Sequence, residues 1–286
     1  MTDVFNTHSR YFAYRDGTLF AEELDLNKIA ETYGTPTYVY STNAILDVLN
    51  GYKEGLDGID YHIGFAVKAN GSLAILNLLA GQGVGADLTS AGELHLALNA
   101  GIPAKKMIFS GVGKTEEEIR YALQQGILMF NIESEPELEL IARIARDMDK
   151  TAPIAIRVNP EIDAKTHKKI TTGLRENKFG VLWEQALPLY ERAAKMQELE
   201  VIGIAAHIGS SLADTTPLLE AMDRLLEHYN SLKGKGIDLR YIDIGGGLGI
   251  DYQGENPESS KEYGQKLKEK FASSNATLVI EPGRSL

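Results

Sequence analysis

A lysine follows directly after an apolar run in the first quarter of the chain. Residues 63–67 are apolar or small, and Lys68 comes next. The run predicts a buried strand that ends at this lysine. A partly desolvated amine loses its proton more readily, so such a lysine can form a Schiff base with a carbonyl group. The structural alternative is a lysine whose stem packs on apolar surface while its ammonium reaches water, and the segment alone favours that alternative.

Three successive glycines follow another predicted strand. Gly245, Gly246 and Gly247 come directly after residues 241–244. Glycines let the backbone approach an anion closely and point several N–H groups at it, as phosphate binding requires. A tight turn is the structural alternative. Arg284 follows a further predicted strand and could supply charge-assisted hydrogen bonds to the same phosphate.

Two more side chains at predicted strand ends suit a flat aromatic cofactor. Glu281 follows the apolar residues 278–280, and its partner is either Arg284 or a protonated ring nitrogen. A lone histidine such as His207 is more often structural, but its flat imidazole could stack on a flat cofactor. An amine, a phosphate cradle, a carboxylate and a stacking ring together match pyridoxal phosphate, which withdraws electrons from a substrate carbon.

A repeating strand–helix pattern positions these residues. Eight runs predict strands, at 64–68, 86–89, 107–110, 129–133, 154–158, 201–207, 241–244 and 278–281. Near-continuous apolar strands are typical of a parallel sheet covered on both faces. Eight is the number that closes a barrel, so we expect an α/β fold, a (β/α)8 TIM-type barrel, rather than a doubly wound open sheet. A long polar stretch at 159–182 follows the fifth strand, and we expect it to cover the active site.

A short extension precedes the barrel. Residues 11–26 alternate around a turn, which predicts a β hairpin. Residues 26–33 predict one helix that ends at Gly34. We therefore divide the chain into an N-terminal extension, 1–34, and a barrel domain, 35–286.

The composition excludes several classes of function. The chain has 286 residues and a net charge of −11, which argues against nucleic acid and anionic membranes as main partners. It contains no cysteine, so it has no disulfide framework and no thiolate ligand or nucleophile. The six histidines show no pair spacing typical of metal ligands. No apolar run approaches the ~18 residues of a membrane span, and we expect a cytoplasmic enzyme that acts on a small molecule without a metal.

The motifs that carry these residues occur in the order and spacing of one family. They are FAVKAN (65–70), SAGEL (90–94), RVNP (157–160), TH (166–167), TG (172–173), KFG (178–180), HIGS (207–210), GGGLG (245–249) and EPGR (281–284). As a set they resemble the bacterial diaminopimelate decarboxylases, which belong to the alanine-racemase-like barrel group, fold type III, of pyridoxal phosphate enzymes. The resemblance covers nearly the whole chain.

The resemblance implies a role for each candidate residue. Lys68 would hold the cofactor as a Schiff base, His207 would stack on the ring, and Arg157 would lie near it. Glu281 would keep the pyridine nitrogen protonated, which deepens the electron sink, whereas racemases of the group place an arginine there. Arg284 would also meet a substrate carboxylate. The phosphate and the ring would be bound by Ser210, Gly245, Gly246, Gly247, Glu281, Pro282, Gly283 and Arg284.

The resemblance also implies a reaction and a partner. The reaction would be the loss of CO2 from the D-centre of meso-2,6-diaminopimelate, which gives L-lysine in the last step of lysine biosynthesis. The full-length enzyme would be a homodimer. Two alternatives stay open: a sibling decarboxylase acting on ornithine, arginine or carboxynorspermidine, and a non-catalytic barrel that carries pyridoxal phosphate.

Two departures from the family pattern bear on activity. Ser211 stands where the family usually has glutamine, beside the predicted phosphate site. The chain stops at Leu286, whereas the family continues into a β domain that packs on the N-terminal extension. That domain supplies a cysteine-containing motif and a tyrosine for the partner's site. We therefore expect a chain truncated before that domain, which binds the cofactor but has low or no activity.

Overall fold

A three-stranded antiparallel sheet and one helix open the structure. The computed structural model describes residues 10–162, 179–252 and 254–286. The first elements are β1 (Phe12–Arg15), β2 (Thr18–Ala21), β3 (Leu24–Asp25) and α1 (Leu26–Tyr33). The predicted hairpin is confirmed as β1 and β2, and α1 ends at Gly34 as expected. The short strand β3, which pairs with β2, was not predicted.

The N-terminal extension is attached to the rest of the chain by polar contacts. The Glu22 carboxylate accepts hydrogen bonds from Ser41 Oγ at 2.6 Å and from Asn43 Nδ2 at 2.6 Å. The Tyr11 hydroxyl donates to the Asp47 carboxylate. The extension therefore contacts the first helix of the barrel, while the domain boundary at residue 34 stays a prediction.

Parallel strands form a closed barrel. In chain order they are β4 (Tyr61–Ala66), β5 (Gly85–Leu88), β6 (Met107–Phe109), β7 (Met129–Ile132), β8 (Ala152–Asn159), β9 (Val181–Leu182), β10 (Leu199–Ala205), β11 (Tyr241–Asp243) and β12 (Thr277–Ile280). Among the described residues, eight of them close the ring, because β12 pairs with β4 and β8 pairs with β10. Strand β9 pairs with the end of β8. The predicted (β/α)8 TIM-type barrel is confirmed.

Helices cover the outside of the barrel. They are α2 (Thr42–Leu56), α3 (Leu73–Gly81), α4 (Ala91–Asn99), α5 (Glu116–Gln125), α6 (Glu135–Asp147), α7 (Trp183–Ala193), α8 (Thr216–Gly234) and α9 (Ser260–Phe271). Side-chain caps fix where several of them begin: Thr115 and Glu118, for example, form a complete capping box at α5. No helix in the described part of the chain is long and apolar enough to cross a membrane.

The buried apolar residues that the structure describes form two clusters, one outside the ring of strands and one inside it. The larger core lies between the strands and the helices and includes fully buried residues such as Leu76, Phe130 and Ile141. The smaller core contains Ile108, Met129, Ala155, Ile202, Ala205 and Val279. A TIM-type barrel is filled by side chains in this way, so it has no pore and its functional groups stand above the inner core.

The seam between β8 and β10 is held by a buried tyrosine of α7. The Tyr190 hydroxyl lies 3.1 Å from the carbonyl oxygen of Ile156 and 3.0 Å from that of Gly203, and it donates to this pair. The pairing of the two strands shifts register between Val201 and Gly203. The tyrosine therefore supplies a donor to backbone acceptors at an irregular part of the ladder.

We expect Tyr190→Phe to lower the free energy of unfolding by about 1–3 kcal/mol, because the buried carbonyl groups lose their donor. Urea unfolding of the purified chain measures this difference. Tyr33→Phe is the matched control, since Tyr33 is 77% exposed. Equal midpoints for the two variants would contradict a role for Tyr190 in closing the barrel.

Candidate functional site

A cavity of about 430 Å³ opens where the barrel strands end. Its size falls within the range of small-molecule and cofactor sites. Each of the eight barrel strands contributes a lining residue at or just past its carboxyl end. The predicted site residues that line it are Lys68, Arg157, His207, Ser210, Gly246, Gly247, Glu281, Gly283 and Arg284.

Gly245 and Pro282 do not line the cavity but connect the loops around it. The Gly245 carbonyl accepts from Glu281 N at 2.9 Å, and the Pro282 carbonyl accepts from Ala66 N at 3.0 Å. These bonds join the ends of β11, β12 and β4. The structure therefore gives both residues a supporting position beside the site.

Lys68 lies two residues beyond the end of β4, in a 3₁₀ turn. The strand ends at Ala66, which corrects the predicted strand end at 68. Its Nζ donates to Asp87 Oδ2 at 2.7 Å, and the Asp87 side chain is completely buried. The lysine side chain itself is 55% exposed. The turn therefore directs the amine into the cavity and toward a carboxylate that the sequence interpretation missed.

The expected activation of Lys68 by burial is wrong for the chain without cofactor. Burial alone would lower the pKa of Lys68, but the neighbouring acidic side chains, Asp87 first, outweigh it, and the net pKa is raised. An opposite charge within hydrogen-bonding distance stabilises the ammonium form. The Lys68 amine is therefore held as an ammonium cation by its acidic neighbours.

Three buried carboxyl groups line this cavity together: Asp87, Asp243 and Glu281, which we call the carboxyl cluster. Asp243 accepts hydrogen bonds from Asn131 Nδ2 and from Gly245 N, both at 2.9 Å. Burial, together with the Asp87 charge, still raises the pKa of Asp243 to about 6. Burial and the charges of Asp243 and Asp87 raise the pKa of Glu281 well above its ordinary value. Glu281 is therefore the member of the cluster that keeps a proton.

Several polar atoms of the cavity wall have no hydrogen-bond partner. They are Asp87 Oδ1, Asn131 Oδ1 and Glu281 Oε1, buried and unpartnered among the residues that the structure describes. Leaving such an atom unpaired costs on the order of 1–3 kcal/mol. Buried polar atoms without partners in a cavity indicate a ligand with complementary donors.

The loop Gly245–Gly247 requires glycine, because its backbone conformation and its contacts with neighbouring backbone leave no room for a side chain. Gly245 has φ 67° and Gly247 has φ 132°, values that L side chains rarely adopt. A Cβ on Gly246 would overlap the carbonyl oxygen of Glu281. Arg284 lines the cavity from the neighbouring loop, and its Nη1 lies 3.4 Å from the Tyr252 hydroxyl. Open backbone next to an arginine suits a phosphate group.

Ser211, the residue that departs from the family pattern, also lines the cavity. It adopts a left-handed backbone conformation with φ 60°, and its buried Oγ has no partner in the described part of the chain. A serine leaves more room here than a glutamine would. The backbone of Leu212, the next residue, pairs with Leu248, so the two loops around the predicted phosphate site are joined.

His207 stands in the wall as a neutral imidazole. Burial, assisted by the charges of Arg157 and Lys68, lowers the pKa of His207 to about 3. The ring therefore stays uncharged across the physiological pH range. A neutral flat ring is suited to stacking on another flat ring and does not act as a cation there.

Sequence reasoning missed the polar residues within the strands. Asp87, Asn131 and Asp243 are single polar residues in otherwise apolar strands, and this interruption was the available signal. Of the predicted cover at 159–182, residues 163–178 lie outside the described residues. Of the remaining pieces, Asn159 is the last residue of β8, and Val181–Leu182 forms β9.

Together the side chains fit the cofactor that the sequence implies. The cavity offers an amine at Lys68, a neutral ring at His207, an open glycine backbone with Arg284, and a proton-bearing carboxyl at Glu281. Pyridoxal phosphate carries an aldehyde, a flat ring, a phosphate and a basic ring nitrogen. Each of these groups has a chemical counterpart in the cavity.

Comparison with known proteins assigns the chain to a family. Residues 43–286 match the family model for the pyridoxal-dependent decarboxylases, pyridoxal binding domain, so the cofactor is pyridoxal phosphate. The diaminopimelate decarboxylase of Pseudomonas aeruginosa is 48% identical over 275 residues, which are 96% of this chain and 66% of that protein. The Aquifex aeolicus diaminopimelate decarboxylase is 44% identical over 99% of this chain and 67% of its own length.

Solved structures agree with the sequence comparisons. Diaminopimelate decarboxylase from Helicobacter pylori complexed with L-lysine superposes with a TM-score of 0.88 at 43% identity, over 91% of this chain and 66% of that one. The enzyme from M. jannaschii in co-complex with L-lysine superposes with a TM-score of 0.90 at 36% identity, over 96% of this chain and 67% of that one. The chain thus spans about two thirds of its relatives' length. It belongs to the pyridoxal-dependent decarboxylases, within the diaminopimelate decarboxylase family.

Proposed function

We propose that this chain provides the cofactor-binding part of an enzyme that removes CO2 from meso-2,6-diaminopimelate to give L-lysine, the last step of lysine biosynthesis. The observation that carries the proposal is Glu281, a buried carboxyl in the cofactor cavity whose pKa is raised by burial and by Asp243. Relatives that are 41–48% identical carry the name diaminopimelate decarboxylase. Three of the similar structures contain L-lysine, the expected product.

The cofactor, when bound, supplies an electron sink for the electron pair that remains on the α-carbon as CO2 departs. Glu281 favours that chemistry, because a carboxyl group can share its proton with a ring nitrogen and an arginine cannot. Asp87 holds the Lys68 amine in the cavity at 2.7 Å. Arg284 is a cation of the cavity wall and can bind a phosphate or a substrate carboxylate. His207 packs as a neutral ring and does not compete for the proton.

We also propose that the complete enzyme is a cytoplasmic homodimer, as the family resemblance implies. Several aromatic side chains are exposed next to the N-terminal extension, and packing against a further domain or subunit would bury them. Tyr38 is 89% exposed and Tyr40 is 53% exposed, and their rings stack on each other at 6.5 Å. Exposed apolar surface of this kind is typical of an interface.

The carboxyl cluster makes the cofactor-free chain less stable as the pH rises. In the unfolded chain an aspartate ionises near pH 4, whereas the pKa of Asp243 in the folded chain is about 6. The folded state therefore holds more protons between these values, and its stability falls as pH rises through that window. At about 1.4 kcal/mol per pKa unit, the Asp243 contribution is on the order of 3 kcal/mol above pH 6. Glu281, whose pKa is also raised, acts in the same direction.

We expect the chain supplied with pyridoxal phosphate to show a visible absorbance that disappears in Lys68→Ala. We further expect it to release CO2 from meso-diaminopimelate when it is fused to the part of the Pseudomonas aeruginosa relative that it does not cover. The measurements are cofactor titration, trapped CO2 and chromatography of L-lysine. Lys268→Ala, on α9 and outside the cavity lining, is the control and should behave as the unmodified chain.

The outcomes separate the competing functions. A Lys68-dependent cofactor signal without CO2 release from any amino acid would contradict the proposal and favour a cofactor carrier. Faster release from ornithine, arginine or carboxynorspermidine than from meso-diaminopimelate would assign a sibling decarboxylase. Absence of any Lys68-dependent signal would overturn the assigned cofactor site itself.

We expect Glu281→Gln to stabilise the cofactor-free chain increasingly as the pH is raised. Glutamine mimics the protonated carboxyl and never ionises. The unmodified chain must keep a proton on Glu281 in the folded state, and the free-energy cost of doing so grows as the pH rises above the ordinary pKa of a glutamate. The difference between the two chains is therefore small near pH 4. By pH 8 the melting temperature should be about 3–6 °C higher than that of the unmodified chain. Thermal melts between pH 4 and pH 8 measure this. Glu269→Gln, on the exposed side of α9, should show no such trend, and a variant difference that shrinks with pH would contradict the assigned protonation.

A further inference from the structure

Glu133 is a buried carboxylate directly after β7 with no role in the functions assigned so far. Its side chain is 2% exposed, and both carboxylate oxygens are hydrogen-bonded. Oε1 accepts from Arg157 Nη1 at 2.8 Å, and Oε2 accepts from Gly180 N at 3.0 Å. One carboxylate therefore holds an arginine of the cavity wall and the backbone just before β9.

Arg157 is fixed on three sides. Besides the pair with Glu133, its Nη2 donates to the backbone carbonyl of His207 at 3.3 Å. Its Cζ lies 5.2 Å from the centre of the Phe179 ring, a cation–π contact. The Arg157 side chain is only 12% exposed although it lines the cavity. A planar guanidinium with several fixed donors can satisfy all three partners at once, and a lysine cannot.

Only a carboxylate satisfies the contacts at position 133. The two groups that face Glu133, the Arg157 guanidinium and the Gly180 N–H, are both donors. Glutamine offers one acceptor and one donor, so it would place a donor against one of them. Gly180 itself has φ 74°, and a Cβ there would lie 3.1 Å from the Arg157 carbonyl oxygen. A glycine at position 180 therefore lets the backbone come close enough to hydrogen-bond with Glu133.

A second ion pair supports the backbone at Glu133 from behind. Glu137 Oε2 accepts from Glu133 N at 2.8 Å, and Glu137 Oε1 pairs with Lys114 Nζ at 2.5 Å. The same ammonium donates to the Asn131 carbonyl at 2.8 Å, and its side chain is 1% exposed. Ser134 caps α6, and in a complete capping box Glu137 would accept a hydrogen bond from the Ser134 backbone N–H. The carboxylate of Glu137 is used to fix the end of β7 instead.

The position of Arg157 matters because the carboxyl cluster lines the same cavity. Asp243 is buried without an ion pair among the described residues, and a mobile arginine in the cavity would be attracted to its charge. Glu133 gives Arg157 a carboxylate partner at 2.8 Å. The guanidinium is then held against His207, and the cluster stays available for a ligand.

We propose that Glu133 is a positioning residue for cofactor binding: it holds Arg157 against the backbone of His207 and away from the carboxyl cluster. The inference rests on the proposed function only through its cofactor. It assigns Glu133 no contact with the cofactor, and its effect passes through Arg157. That indirect action separates it from a purely structural role, which would be independent of the arginine.

The test is a double-mutant cycle on the dissociation constant for pyridoxal phosphate, measured by titrating the Lys68-dependent absorbance. Glu133→Gln should weaken binding by about 10- to 100-fold, the range of a lost charge-assisted hydrogen bond. The matched control is Glu135→Gln, two residues later, because Glu135 is 62% exposed and pairs with Arg192 on the outside. The control should change binding by less than about twofold.

In the Arg157→Gln background, Glu133→Gln should change cofactor affinity by less than about twofold, because the residue through which it acts is gone. The same loss in both backgrounds, or no loss in the unmodified background, would overturn the proposal. If Glu133→Gln fails to fold, Arg157→Lys is measured in its place, because lysine keeps the positive charge but lacks the fixed donors of the planar guanidinium. We then expect a comparable loss of affinity, and unchanged binding would overturn the proposal. A chain with no Lys68-dependent signal at all would instead count against the proposed function.

Discussion

Buried carboxyl groups with too little positive charge around them are the central constraint of this molecule. Asp87 pairs with Lys68, and Asp243 is stabilised by Asn131 and by a backbone N–H, but Glu281 forms no ion pair among the described residues. Burial of such groups is expensive, and the cheapest solution is to keep a proton on one of them. A cavity that holds a proton on a carboxyl group is prepared for a basic ring nitrogen.

The barrel makes this arrangement possible by bringing together residues that are far apart in the chain. Each strand ends at the same face, so Lys68 from β4, Asp243 from β11 and Glu281 from β12 meet above an apolar interior. The loops after β11 and β12 are joined by the hydrogen bond from Glu281 N to the Gly245 carbonyl. On the opposite wall, Glu133 gives Arg157 a partner, so its charge is kept apart from the cluster. The position of each charge therefore follows from strand order and from a few close backbone approaches.

The sequence predicted the barrel and most of the cavity wall, because both depend on local patterns. Apolar runs located all eight barrel strands to within a few residues, and residues at strand ends such as Lys68 and Glu281 line the cavity as expected. Whether a single polar residue inside a strand faces the interior depends on strand tilt and closure. Asp87, Asn131 and Asp243 were missed for that reason. The predicted lowering of the Lys68 pKa was wrong for the same reason, because the sequence did not reveal Asp87 as its neighbour.

The most direct test of the account is the protonation state of the cofactor's ring nitrogen in this cavity. Pyridoxal phosphate labelled with ¹⁵N in the ring can be bound to the chain, and its chemical shift followed between pH 6 and pH 9. We expect the shift of a protonated nitrogen throughout this range, and a loss of that protonation at high pH in Glu281→Gln. An unprotonated nitrogen in the unmodified chain, or a protonated one that does not respond to Glu281→Gln, would contradict the account.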